Sequence, residues 1–344
     1  MISKRILIIP VLFIVFLAAV LLAVSLREKG KKTIPNVIIM TFSGLRNMDS
    51  IEEPDHQYIP NLWNNIFKKG TLYTNLINTN YELHISIVQS INTGIDYYYW
   101  GRITQPSIFQ YVRKKYALPI TKLWMIGHFT YLNDYYFETE EYSTDTLPDI
   151  FTFVQMYISP QSPRLRNVLT KQELTSLDRY KTTNQDILSR KLFGMPRWDV
   201  MAKGQSRIFN KIMREFRPKL VHYVMNGTES AHYDTFAKYL ISLKDADRII
   251  FQTWEFINKD SFYKGNTYLI ICVDHERDAY YKEHTSDSID NPSPVWMYIY
   301  GPKVKKGKVI RRPVYHKDIF ATVAYLMGVS THPTKGKVLE DSFK

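Results

Sequence analysis

An apolar run from residue 6 to residue 24, broken only by Pro10, constrains this chain before any other pattern in it. About 20 apolar residues at 1.5 Å per residue cross a hydrocarbon core of roughly 30 Å. Lys4 and Arg5 precede the run, and Arg27, Lys29, Lys31 and Lys32 follow it. A cleaved signal peptide has a shorter core and a small-residue cleavage site, and Leu21-Leu22-Ala23-Val24-Ser25-Leu26 supplies a poor one. The expectation is a short N-terminal segment (1–5), a retained transmembrane anchor (6–26), a basic linker (27–35) and one folded domain (36–344). By the positive-inside rule alone the heavier C-terminal flank would stay in the cytoplasm. A short Lys-Arg start before a long apolar stretch is instead the pattern of an exported anchor. The chain is therefore expected to be single-pass, with its domain outside the cytoplasm (periplasmic or extracellular).

Beyond the anchor, strand-like and helix-like runs alternate, the signature of a mostly parallel sheet flanked by helices. Segments 36–42, 72–77, 120–126, 220–225, 267–273 and 295–300 read as strands. Each is short, continuous and apolar, as strands covered on both faces are. Segments 60–69, 84–91, 200–216, 234–257 and 319–327 read as helices. Residues from about 130 to 200 are rich in Tyr, Asp, Glu and Pro without a steady period, and read as a cap inserted over one end of the sheet. The fold class is thus α/β.

With 45% hydrophobic and 14% aromatic residues the chain can bury a large core, which a disordered chain does not. The single cysteine, Cys272, excludes an internal disulfide framework and a Cys-rich zinc site. A net charge of +12 suits anionic substrates or an anionic membrane surface, and equally suits scattered solvated lysines. The run 303–312 (KVKKGKVIRR) reads as a solvated edge loop or a phosphate-headgroup contact. Tyr97-Tyr98-Tyr99-Trp100 reads as cap packing, a sugar-stacking platform or an interfacial belt. No nucleic-acid module is present in the pattern. Asn226-Gly227-Thr228 matches a glycosylation sequon.

Ligands of open α/β sheets bind beyond the carboxyl ends of the strands. The polar residues there are Ser43-Gly44-Leu45-Arg46, Thr228-Glu229-Ser230-Ala231-His232, and Asp274-His275-Glu276-Arg277 followed by His284. Carboxylates and imidazoles drawn from separate strand ends suit Zn, or alternatively Mn or Fe. Two such metals about 4 Å apart clamp the attacking and leaving oxygens of an ester.

These segments, in this order, resemble the alkaline phosphatase superfamily in its sulfatase and phosphodiesterase branch. The resemblance also draws on 36–46 (NVIIMTFSGLR), on 59–63 leading to 70–75, on 84–94 (HISIVQSINTG), and on the tail 301–302, 316–322 and 326–328. It implies that one metal is held by Glu229 (or Thr228), His232 and His284. It places Asp274 and His275 at a second metal, and Ser43 where a carboxylate ligand normally stands. A neutral hydroxyl cannot replace that charge, so occupancy of the second site is in doubt. The nucleophile position, at a helix start where the dipole favours anions, falls on His84, with Ser86 and Thr79 as the nearest hydroxyls. Glu276 stands where a glycine normally follows Asp-His, and is expected to crowd the pocket and repel anions.

The resemblance implies a membrane-anchored, metal-dependent hydrolase or transferase of phosphate, phosphodiester or sulfate esters carried by a glycan or lipid headgroup. The alternative reading is a catalytically inactive relative that keeps the fold and binds an envelope partner or glycan. Ser43, His84 and Glu276 favour inactivity, whereas His232, Asp274, His275 and His284 favour activity.

Overall fold

Strand β1 (Asn36–Phe42) is buried along its whole length, as a strand covered on both faces must be. In the computed structural model, the residues described are 34–80, 84–96, 105–127, 153–154, 198–232, 234–283 and 293–344. The apolar run at 6–24, the linker to residue 33, Tyr97–Trp100, His284 and nearly all of the expected cap lie outside them. Pro35–Lys344 forms one unit and Met1–Ile34 another. Among the described residues, no helix is long and apolar enough to cross a membrane.

The other strands are β2 (Thr71–Ile77), β3 (Leu123–Ile126), β4 (Phe153–Val154), β5 (Leu220–Met225), β6 (Thr267–Val273), β7 (Val295–Tyr300), β8 (Lys308–Ile310) and β9 (Val314–Tyr315). They form one mixed sheet of order β4-β3-β5-β1-β6-β7-β2-β8, with β9 on the far end of β2. β1 pairs in parallel with β5 and β6, whereas β7 runs antiparallel to both β6 and β2. The carboxyl ends of β1, β2, β5 and β6 therefore share one edge, as the alternating pattern of the sequence requires.

The helices are α1 (His84–Thr93), α2 (Ile108–Tyr116), α3 (Trp198–Glu215), α4 (Phe236–Lys259) and α5 (His316–Met327). α1 packs on α5 and α2, while α3 and α4 pack on each other and on the 3-10 turn Asn226–His232. α2 is an element the sequence reading did not anticipate. Its start is fixed by a capping box, in which Ser107 and Gln110 satisfy each other's backbone N–H groups. The expected helix at 60–69 winds instead as a π-turn (Leu62–Ile66) and a 3-10 turn (Phe67–Lys69). Asp247 of α4 fixes its start by accepting from the backbone N–H groups of Asn61 and Leu62. The strand expected from 120 begins at Leu123, because Ile120–Lys122 forms a 3-10 turn.

Gly70 joins that turn to β2 where the backbone crowds β7. A Cβ built there would lie 2.2 Å from the Ile299 carbonyl oxygen and 2.6 Å from the Tyr298 hydroxyl. The carbonyl belongs to the sheet ladder and cannot move aside. Gly70→Ala is expected to destabilise the domain by about 1–3 kcal/mol, measured as a fall in the denaturation midpoint with an unchanged denaturant slope.

Candidate functional site

Because β1, β5 and β6 are parallel neighbours, three polar loops leave the sheet side by side. β1 ends in Ser43-Gly44, β5 in the Asn226–His232 turn, and β6 in Asp274-His275-Glu276-Arg277. The first turn of α1, reached from β2, adds His84. These elements bring Ser43, His84, Glu229, His232, Asp274 and His275 into one cluster. All are buried except His232, whose side chain is partly exposed.

Asp274 ties the loops together. Its Oδ1 accepts the backbone N–H of Gly44 at 2.7 Å and of His275 at 2.8 Å. Its Oδ2 lies 2.7 Å from His84 Nδ1. That nitrogen is also 3.0 Å from Ser43 Oγ and 3.0 Å from His275 Nε2. The opposite nitrogen, His84 Nε2, lies 2.9 Å from Glu229 Oε2. Ser43 Oγ further accepts from Asn226 Nδ2 at 3.3 Å.

The proton positions follow from these partners. His275 Nδ1 donates to the Glu276 carbonyl at 2.8 Å, so its Nε2 carries the lone pair that faces His84. A carboxylate stands at each nitrogen of His84, so both nitrogens carry protons and the ring is an imidazolium. Burial alone would lower its pKa, but Glu229 and Asp274 outweigh burial and raise it to about 10. Burial opposes ionisation of Asp274, yet His275, His84 and the backbone donors bring it down to about 2. Glu229 resists burial in the same way, held well below the usual range by His84 and Arg277. His275, penalised by burial, falls to about 4 and is neutral.

Arg277, which the sequence places among the strand-end polar residues without a role, turns out to be central. Its fully buried guanidinium donates from Nη2 to Glu229 Oε1 at 2.6 Å and from Nε to the Gly44 carbonyl at 3.0 Å. Nothing in the sequence indicated that an arginine in the Asp-His-Glu-Arg stretch folds back beneath the β1 loop. Glu276 also departs from expectation. Its carboxyl accepts the Asn47 backbone N–H at 3.0 and 3.1 Å, and burial raises its pKa to about 8. A carboxyl held largely neutral does not repel anions as the sequence implied. Thr79 pairs with Asp96 at 2.7 Å and with Lys317 at 3.4 Å, not with the site carboxylates. Ser86 is buried two residues into α1.

No protein-family model and no curated protein matches the sequence. Solved structures do match. A Vibrio parahaemolyticus protein of the alkaline phosphatase superfamily superposes with a TM-score of 0.55 at 12% identity, over 90% of this chain and 72% of its own. The fold is that of the alkaline phosphatase superfamily. The lipoteichoic acid synthase LtaP of Listeria monocytogenes aligns with a TM-score of 0.56 at 13% identity, over 89% of this chain and 74% of the other. A putative sulfatase from Bacteroides thetaiotaomicron gives 0.56 at 10% identity, over 90% and 75%. This is a fold shared with hydrolases and transferases.

Among the described residues two groups could hold a metal, His84-Glu229-His232 and His84-Asp274-His275, with ligand atoms within 4.8 Å of one another. As placed, neither fits the metal pair of a superfamily hydrolase. His84 belongs to both groups, and a carboxylate lies within 2.9 Å of each of its nitrogens, which favours the protonated ring over a ligand. Glu229 already faces Arg277 and His84, and Ser43 adds no charge. Two divalent ions would add four positive charges where two carboxylates are already balanced.

The charge network sets the dependence of stability on pH. His84 has a folded pKa above its ordinary 6.5, so its contribution is complete below 6.5 and is lost as pH rises through about 10. Glu276 acts in the same direction, between its ordinary 4.5 and about 8. Asp274 is depressed, so its contribution is lost as pH falls from 3.8 through about 2. The buried His275 and His222, depressed to about 4 and about 3, act the other way and add stability as pH rises to 6.5. Melting temperature is therefore expected to decline from about pH 7 to pH 10, and Glu276→Gln should remove the part of that decline below about pH 8. His84→Ala, which leaves two buried carboxylates short of a cation, is expected to cost about 3–5 kcal/mol in denaturant unfolding.

Proposed function

We propose that this chain is a membrane-tethered domain of sulfatase-like fold, outside the cytoplasm, that binds an anionic glycan or lipid-headgroup ester and does not hydrolyse it. The carrying observation is His84. It stands at the helix start where the resemblance puts the nucleophile, and a carboxylate lies within 2.9 Å of each of its nitrogens. A doubly protonated imidazole has no lone pair with which to attack phosphorus or sulfur. Among the described residues Ser43 Oγ meets only His84 Nδ1, which faces Asp274, and an Asn226 amide donor, and none of these is a base that would activate the hydroxyl. The tether rests on the apolar run at 6–24, and the ester class rests on the fold.

A second reading is a hydrolase or transferase using one divalent ion, Zn or alternatively Mn or Fe. The observation in its favour is the closeness of Glu229 and His232, whose facing atoms are 3.6 Å apart, with His284 expected as a further ligand.

The two readings separate on turnover. The full chain in detergent is expected to leave aryl phosphate, bis-aryl phosphate and aryl sulfate esters intact, with and without added Zn²⁺ or Mn²⁺, while retaining binding to sulfated or phosphorylated glycans. Metal-dependent release of the aryl group would overturn the proposal in favour of the second reading.

A further inference from the structure

Arg277 is surrounded as a bound cation would be. Its guanidinium meets Glu229 Oε1 at 2.6 Å, the Gly44 carbonyl at 3.0 Å and the Lys282 carbonyl at 3.4 Å. The Ser43 carbonyl and His232 Nε2 complete the set, each at 3.5 Å. Carboxylate, imidazole and carbonyl atoms from three loops converge on one buried positive group. Gly44 makes the berth. It turns at φ 71°, and a Cβ there would stand 2.7 to 2.9 Å from the Arg277 guanidinium.

We propose that Arg277 is a built-in cation seated in a latent divalent-metal site, and that Glu229 and His232 would bind a metal once the guanidinium is removed. The donor types are those a Zn²⁺ or Mn²⁺ ion accepts. Glu229 cannot serve both cations, because a divalent ion on its Oε1 would occupy the space of the guanidinium and be repelled by it. Arginine fits this role better than lysine: its planar fork reaches several acceptors at once and it stays charged when buried. The acceptors, collected at the ends of β1 and β5, then stay satisfied without any ion from solution. The proposal concerns which cation the site holds, so it stands apart from the turnover reading above. Metal-free hydrolysis by the natural chain would sink that reading and leave this one intact.

The test uses the full chain in detergent, loaded with Zn²⁺ or Mn²⁺ and then dialysed. The natural chain should retain no stoichiometric metal, and Arg277→Ala should retain about one equivalent. Metal at about 100 times its dissociation constant should raise the melting temperature of Arg277→Ala by about 5 °C and leave the natural chain unmoved. Arg277→Ala combined with Glu229→Gln should lose both responses, and Arg277→Lys, which offers a cation without the fork, should take up less metal than Arg277→Ala. If Arg277→Ala is recovered only as aggregate, its soluble yield with metal in the growth medium decides. Recovery that depends on metal and on Glu229 supports the proposal, and absence of recovery overturns it. A folded Arg277→Ala that takes up no metal, or a natural chain that takes up as much, would also overturn it.

Discussion

A carboxylate buried at the end of a sheet strand must be met by positive charge, and here two of them, Asp274 and Glu229, set that demand within one small cluster. Leaving such a group unpaired in a dry interior costs several kcal/mol. The chain answers with His84, which touches both, and with Arg277, which takes the free oxygen of Glu229. The same contacts fix the geometry around them. The start of α1 is drawn to the end of β6, the β1 loop is held against β6 through Gly44, and the β5 turn is clasped by an arginine from the β6 loop. The cluster is thus at once the candidate site and a strut joining three parallel strands to the helix layer.

The centre of the fold was legible because its strands are continuous apolar runs with little alternation. β1, β5, β6 and β7 lie where the sequence puts them, since burial on both faces leaves the same mark whatever the neighbours. The peripheral elements were not legible for the opposite reason. β8 and β9 are too short to carry a period, and the winding at 62–69 depends on Asp247, far along the chain. α2 rests on a capping box that could have been read from Ser107 and Gln110. The antiparallel course of β7 leaves no trace in composition.

The same contrast holds within the site. Ser43, His84, Glu229, His232, Asp274 and His275 were singled out from strand-end position and resemblance, and they do come together. Their chemistry was less legible, because the charge of each depends on partners in other loops. His84 looked like a ligand or a nucleophile and becomes a cation once a carboxylate stands at each nitrogen. Glu276 looked like a repulsive anion and is held largely neutral by burial, its carboxyl spent on the Asn47 backbone. Arg277 stood among the strand-end polar residues without a role, since its role comes from folding back under a glycine. The shared fold places the groups, but it does not settle which protons they hold, and the protons decide between an ester hydrolase and a binding protein.

The space beneath Gly44 has a historical consequence. With a guanidinium 2.7 to 2.9 Å from where a Cβ would be, positions 44 and 277 cannot vary independently. A lineage could seat the arginine only after, or together with, a residue lacking a side chain at 44. Any larger residue at 44 is penalised twice, by the positive φ of the turn and by the seated arginine. The turn alone holds position 44 to glycine, so change in this loop is open at position 277 and closed at position 44.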